Sequence, residues 1–370
     1  MFKKLTPRLK VILGIALFVS FTTSCKKDVV VNSPILNDTL NKIKPKGPKP
    51  AWGPTITDQM LTVIEKLDSF KTPPLTTLTP QQARKAPTPT DAVKAVMKDY
   101  NIPAPASPID TTGRDIAVKG GKIHLRVYSP KGVGPFPVIV YYHGGGWVIA
   151  NLDTYDASAR ALAEKSNAVL VSVAYRQAPE FKFPIAHNDS YAAYKWVIEN
   201  TALINGNPKK IAIAGESAGG NLATAVSMMS RDSGLALPIH QLVIYPIADN
   251  NVSSPSYLTY ADAKPLNKPL MQWFFDNYLN TPADGDSQLI SLVDANLKKL
   301  PPATIIIAQI DPLQNDGEKL AAKFKTDGVE VNTKMYEGVT HEFFGMSTLI
   351  PEAKKAQDFA AEELKKAFAK

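Results

Sequence analysis

Five short apolar runs, at residues 136–142, 168–174, 210–214, 239–245 and 304–310, alternate with stretches of helical periodicity. A strand that is apolar throughout is buried on both faces, and a helix between successive strands returns the chain to the same end of the sheet. The pattern therefore predicts an α/β protein with a mostly parallel central sheet and helices on both faces. Ahead of these runs, two alternating segments at 115–119 and 122–128 meet at Gly120 and Gly121 and read as a hairpin. A further strand is expected at 329–336, and the tail 351–370 sets Ala356, Phe359, Ala360, Leu364 and Phe368 on one helical face that closes the core. With 370 residues and 44% apolar content, the chain can bury one large core, and no internal repeat divides it.

The first 24 residues read as an export signal. Lys3, Lys4, Arg8 and Lys10 precede an apolar run at 11–21, and small residues follow. The run is shorter than the ~20 residues of a membrane span. Cys25, the single cysteine of the chain, stands where the signal ends, which resembles a bacterial lipoprotein. That resemblance implies lipidation at Cys25 and an exported protein anchored to a membrane facing the periplasm or cell surface; an ordinary cleaved signal with a stray cysteine is the alternative. Removing the four basic residues lowers the formal charge from +8 to about +4, and no basic helix interleaved with aromatics remains to suggest a nucleic-acid partner. Residues 25–54, rich in Lys, Pro, Asn and Ser, read as a flexible linker. Residues 55–110 carry two helical patterns that form a small cap, and 111–370 make the main domain, with a cap insert around 253–280.

Residues 210–222 read as strand, then Gly215-Glu216-Ser217-Ala218-Gly219, then helix. A serine displayed on so sharp a turn needs small neighbours, so that the backbone can bend and a substrate can reach the hydroxyl. G-x-S-x-G arises by chance in about one chain of this length in ten, so its place between strand and helix is what gives it weight. The second signal is His143-Gly144-Gly145-Gly146-Trp147, directly after an apolar run, where successive glycines expose amides. Gly145, Gly146 and Ala218 are the expected oxyanion donors.

With a nucleophile on such an elbow, the acid and then the histidine follow in chain order. Of the two histidines after Ser217, His240 lies inside a strand run and reads as a sheet residue, which leaves His341 as the base. Asp311 ends the run 304–310 and precedes Pro312; its rival Asp316 stands where a helix starts and reads as a cap. Ser217, His341 and Asp311 together imply acyl transfer by a serine. No cofactor is expected, and His124 and His187 have no metal-ligand spacing around them. Trp147, Tyr155, Trp273 and Phe274 are candidates for an apolar substrate pocket, although core packing explains each of them equally well.

His143 to Trp147, the run Tyr175-Arg176-Gln177-Ala178-Pro179-Glu180, the Ser217 elbow, Asp311 to Leu313 and His341 together resemble the hormone-sensitive lipase family of bacterial esterases. The resemblance implies the α/β-hydrolase fold, a small-molecule ester as substrate, a helical cap, oxyanion glycines at Gly145 and Gly146, and structural roles for Tyr175 and Arg176. Gln177, Asn315 and Glu342 depart from the family pattern. Glu342, beside the base, reads either as an exposed loop acid or as a carboxylate that raises the histidine pKa or meets a polar substrate. Ester hydrolysis is the expected chemistry. An amidase or peptidase would carry the same triad, and a binding protein on the same fold would be expected to lose one of its members.

Overall fold

A computed structural model describes residue 1 and residues 40–370. The basic start, the apolar run at 11–21 and Cys25 lie outside the described residues. Residues 40–42 are helical, and three helices then precede the sheet, α1 (Asp58–Ser69), α2 (Pro80–Ala83) and α3 (Pro89–Asp99). Each has a threonine N-cap whose hydroxyl accepts a backbone amide, and α2 and α3 add proline in the first turn, where a missing N–H costs nothing.

Eight strands follow: β1 (Asp110–Val118), β2 (Gly121–Ser129), β3 (Phe136–Tyr142), β4 (Val169–Ala174), β5 (Gly206–Glu216), β6 (Gln241–Ile244), β7 (Ala303–Ile310) and β8 (Val331–Thr340). They form one sheet in the order β1-β2-β4-β3-β5-β6-β7-β8. The β1–β2 hairpin and the β2–β4 pair are antiparallel, and all other pairs are parallel. Between and after the strands run α4 (Asp156–Ser166), α5 (Ile185–Glu199), α6 (Ala218–Ser233), α7 (Pro255–Thr259), α8 (Lys268–Tyr278), α9 (Gln314–Thr326) and α10 (Pro351–Ala369).

Because successive strand side chains point to opposite faces, each apolar run feeds two cores. Ile139, Tyr141, Ala212, Leu242 and Ile306 pack with residues of α1, α3, α4 and α10. Val138, Val140, Ile211 and Ile213 pack with α5, α6 and α8. In α10, Ala356, Ala360, Leu364 and Phe368 are buried, and Phe359 packs partly buried beside them.

The linker reading of residues 25–54 fails for its described part. Ile43 is fully buried, the amides of Lys46 and Gly47 donate to the Glu65 carboxylate at 2.7 Å each, and Gly53 lies against Ile310. A single apolar anchor held by two backbone bonds leaves no periodic trace in the sequence. The N-terminal helices and the insert are tied to each other and to the main domain. Lys264 reaches Asp68 at 2.7 Å, and Arg84 donates to the carbonyls of Val148 and Ala178 and pairs with Glu180.

Candidate active site

The carboxyl ends of β3, β5, β7 and β8 converge on one point. There Ser217 bridges β5 and α6 with φ 57° and ψ −119°, a conformation a side-chain-bearing residue holds only when its surroundings impose it. Its amide donates to the Ile244 carbonyl at 2.9 Å. A Cβ on Gly219 would stand 2.0 Å from the Tyr142 carbonyl oxygen, so the helix can start this close to β3 only with glycine there.

The Ser217 hydroxyl lies 2.9 Å from His341 Nε2, and His341 Nδ1 lies 2.7 Å from Asp311 Oδ2. Asp311 Oδ1 accepts the Leu313 amide at 2.9 Å, which fixes the carboxylate plane. With Nδ1–H given to Asp311, the Nε2 lone pair faces the serine proton. All three side chains are buried. Burial pulls the His341 pKa down, but the adjacent Asp311 carboxylate outweighs it and leaves the imidazole above its ordinary value.

Asp316 neither bonds His341 nor caps its own helix. Its Oδ2 accepts the amides of Ala248 and Asp249 at 2.9 and 3.1 Å, holding the loop after β6. His240 bonds the Thr304 hydroxyl at 3.0 Å within the sheet.

Gly145, at φ 98°, would bring a Cβ to 2.2 Å from the Ile149 carbonyl, so the loop after β3 requires glycine. Among the described residues, the amides of Gly145 and Gly146 make no hydrogen bond, and the Ala218 amide opens α6 where no helical acceptor exists. The loop is braced from below. Tyr175 donates to the His143 carbonyl at 2.8 Å and stacks on its ring at 4.4 Å, while Arg176 is paired with buried Asp189 at 2.7 Å.

A cavity of about 70 Å³ opens over Ser217 and His341, lined by Leu75, Ile149, Pro265, Leu266, Leu270 and Phe274. Of the four aromatic candidates only Phe274 lines it. Trp147, at φ 60°, is turned into the core and stacks on Tyr278 at 4.6 Å. Trp273 packs against the second core outside this cavity, and Tyr155 lines a neighbouring one. Leu266 and Leu270 lie in the insert, where the sequence pattern pointed. Leu75, in the Pro- and Thr-rich break after α1, carried no such signal.

Two acids that the sequence left unassigned lie behind the triad. Glu216 is buried and accepts the hydroxyls of Tyr141, at 2.5 Å, and Tyr245; burial lifts its pKa to about 7. Glu342 is not the exposed loop acid that was one of its readings. It is only partly accessible, sits at φ 69°, and its Oε1 accepts the Tyr155 hydroxyl at 2.5 Å. Burial raises its carboxyl above the ordinary glutamate range.

The raised Glu216 pKa carries a stability signature. A carboxyl that holds its proton longer when folded contributes fully below its unfolded pKa, near 4.5, and loses that contribution as pH rises through about 7. Urea unfolding from pH 5 to pH 8 should therefore show wild type losing up to about 3 kcal/mol relative to Glu216→Gln. Parallel pH profiles for the two proteins would contradict this assignment.

A serine, histidine and aspartate in this relay, beside free backbone amides on a parallel α/β sheet, define a serine hydrolase. The α/β-hydrolase fold family matches residues 139–345. The carboxylesterase NlhH of Mycobacterium tuberculosis is 38% identical over 251 residues, 66% of this chain and 79% of that protein. The ethyl acetate hydrolase of Pseudomonas putida is 32% identical over 263 residues, 70% of this chain and 81% of the relative. Among solved structures, a thermostable esterase from Pseudomonas putida superposes with a TM-score of 0.78 at 32% identity, covering 85% of this chain and 98% of that one. The chain belongs to the hormone-sensitive lipase-like esterases of the α/β-hydrolase superfamily.

Proposed function

We propose that the protein hydrolyses carboxylic esters of short to medium acyl chains through an acyl-enzyme on Ser217. The carrying observation is the unbroken relay Asp311–His341–Ser217 beside the Gly145 and Gly146 amides. As the Ser217 oxygen attacks the ester carbonyl, His341 Nε2 takes its proton and Asp311 stabilises the imidazolium. The carbonyl oxygen gains negative charge toward the amides of Gly145, Gly146 and Ala218. His341 then passes the proton to the departing alkoxide. Water attacks the acyl-enzyme, gives its proton to His341, and Ser217 leaves with that proton restored. The names of the relatives, a carboxylesterase and an ethyl acetate hydrolase, support the ester reading.

The test is a panel of 4-nitrophenyl esters of increasing acyl length with matched anilides. Esters should turn over far faster than anilides, with rates falling as the acyl chain outgrows the cavity of about 70 Å³. Faster anilide turnover would replace this reading with an amidase.

Export and lipid anchoring at Cys25 belong to the same proposal and are supported by the basic start, the apolar run and the placement of the single cysteine. The full-length chain, expressed in a bacterium that processes lipoproteins, should partition into detergent and Cys25→Ser into the aqueous phase. Equal partition of the two would remove the anchor.

A further inference from the structure

An ester has two arms, and two cavities meet at the triad, one almost wholly apolar and one in which charged and polar groups stand among apolar ones. The cavity over Ser217 is small and walled by Leu266, Leu270 and Phe274. The second, of about 300 Å³, shares Gly145, Ile149 and Glu342 with the first and runs outward past Arg84, Lys94, Asn151 and Thr154. The polar groups facing it are not all satisfied internally. Tyr155 occupies one oxygen of Glu342, while Glu342 Oε2, the Asn151 Nδ2 group, whose Oδ1 is already taken by Asp153 and Thr154, and the Lys94 ammonium make no hydrogen bond among the described residues.

The chemistry sorts the two arms. Ser217 and His341 both line the smaller cavity, and Glu342, the residue after His341, lines both. His341 must protonate the departing alkoxide, so we place the alcohol on the side where Glu342 opens the larger cavity and leave the acyl chain in the apolar one. Arg84, Lys85 and Lys94 share this cavity with Asp91, Asp153 and Glu342, so neither a cation nor an anion has a net preference there. Neutral hydroxyls, which both donate to a carboxylate and accept from an ammonium or amide, suit every free group present.

Resting on the esterase reading, we propose that the preferred substrates are short-chain, acetyl-sized esters of polyhydroxylated alcohols, with Glu342 as the specificity-determining residue that receives an alcohol hydroxyl. Tyr155 holds the carboxylate in place from the opposite side. A carboxylate left without its hydroxyl partner in a largely desolvated wall discriminates against alkyl analogues.

The experiment compares glycerol 1-acetate with its isostere 2-methylbutyl acetate, and a monoacetylated pentose with cyclohexyl acetate, in wild type, Glu342→Gly and Glu342→Gln. Glycine relieves the positive φ at this position, so loss of folding is not the expected effect of that change. Wild type should favour the hydroxylated ester of each pair by roughly tenfold or more in kcat/KM, chiefly through KM. Glu342→Gly should bring the ratio near unity by raising KM for the hydroxylated member, and Glu342→Gln should fall between, because its amide still accepts. Equal kcat/KM for both members in wild type, or a ratio unmoved by Glu342→Gly, overturns the proposal while leaving ester hydrolysis standing. No turnover of any ester by a folded wild type overturns the esterase reading and this inference with it.

Discussion

Ser217→Ala should lower kcat/KM for a short-chain aryl ester by about 10⁵-fold or more, with the fold intact. The hydroxyl removed is the one that lies 2.9 Å from His341 Nε2 at the floor of the cavity, so no other group can take over the attack. What survives is the contribution of the amides and of binding, which still act on a water attack. Alanine meets the same backbone conformation as serine at φ 57°, so thermal unfolding should change little. Initial rates beside a melting curve separate the two effects. A loss below a hundredfold would mean that the nucleophile lies elsewhere.

Asp311→Asn should cost about 10⁴-fold in kcat, because an amide facing His341 Nδ1 offers a donor where an acceptor is required and favours the wrong tautomer. The Leu313 amide that donates to Oδ1 would hold the new side chain in place, so the defect is electronic rather than positional. Asp316→Asn is the control. It stands five residues on, and its carboxylate holds the loop amides of Ala248 and Asp249 rather than the imidazole. Turnover should persist in that variant, with the loss falling on unfolding free energy. Comparable kcat losses in both variants would show that the acid had been misassigned.

The contrast between these two aspartates shows what the sequence makes legible. Asp311 was readable because it ends an apolar strand and precedes a proline, and a parallel sheet delivers catalytic groups at its strand ends. Ser217 and the Gly145 loop were readable for a related reason: close backbone approach leaves glycine as its trace. The true work of Asp316 was not readable, since its amide partners are 67 and 68 residues away and no local pattern announces them.

The same limit explains the pocket. Trp147 has the right chemistry for a substrate wall, but its positive φ turns the ring into the core against Tyr278, and only backbone geometry reveals that. Glu342 read either as an exposed loop acid or as a carboxylate acting on the base or on substrate, and the sequence did not choose between them because Tyr155, which holds it, is 187 residues distant. Residues 25–54 read as a linker because hydrophobic periodicity cannot register one buried isoleucine, Ile43, and two backbone bonds to Glu65. Strand ends and glycines are local signals, whereas the lining of a site assembled from α1 to β8 is not.

The central claim is that Ser217 is the activated nucleophile, and reaction with an alkyl phosphonate fluoride followed by peptide mass spectrometry tests it most directly. The account predicts one phosphonyl group per chain on the peptide containing Ser217, loss of ester turnover in proportion to labelling, and no labelling of His341→Ala at the same rate. Complete inhibition with Ser217 unmodified, or labelling of another residue that tracks the loss of activity, would contradict it.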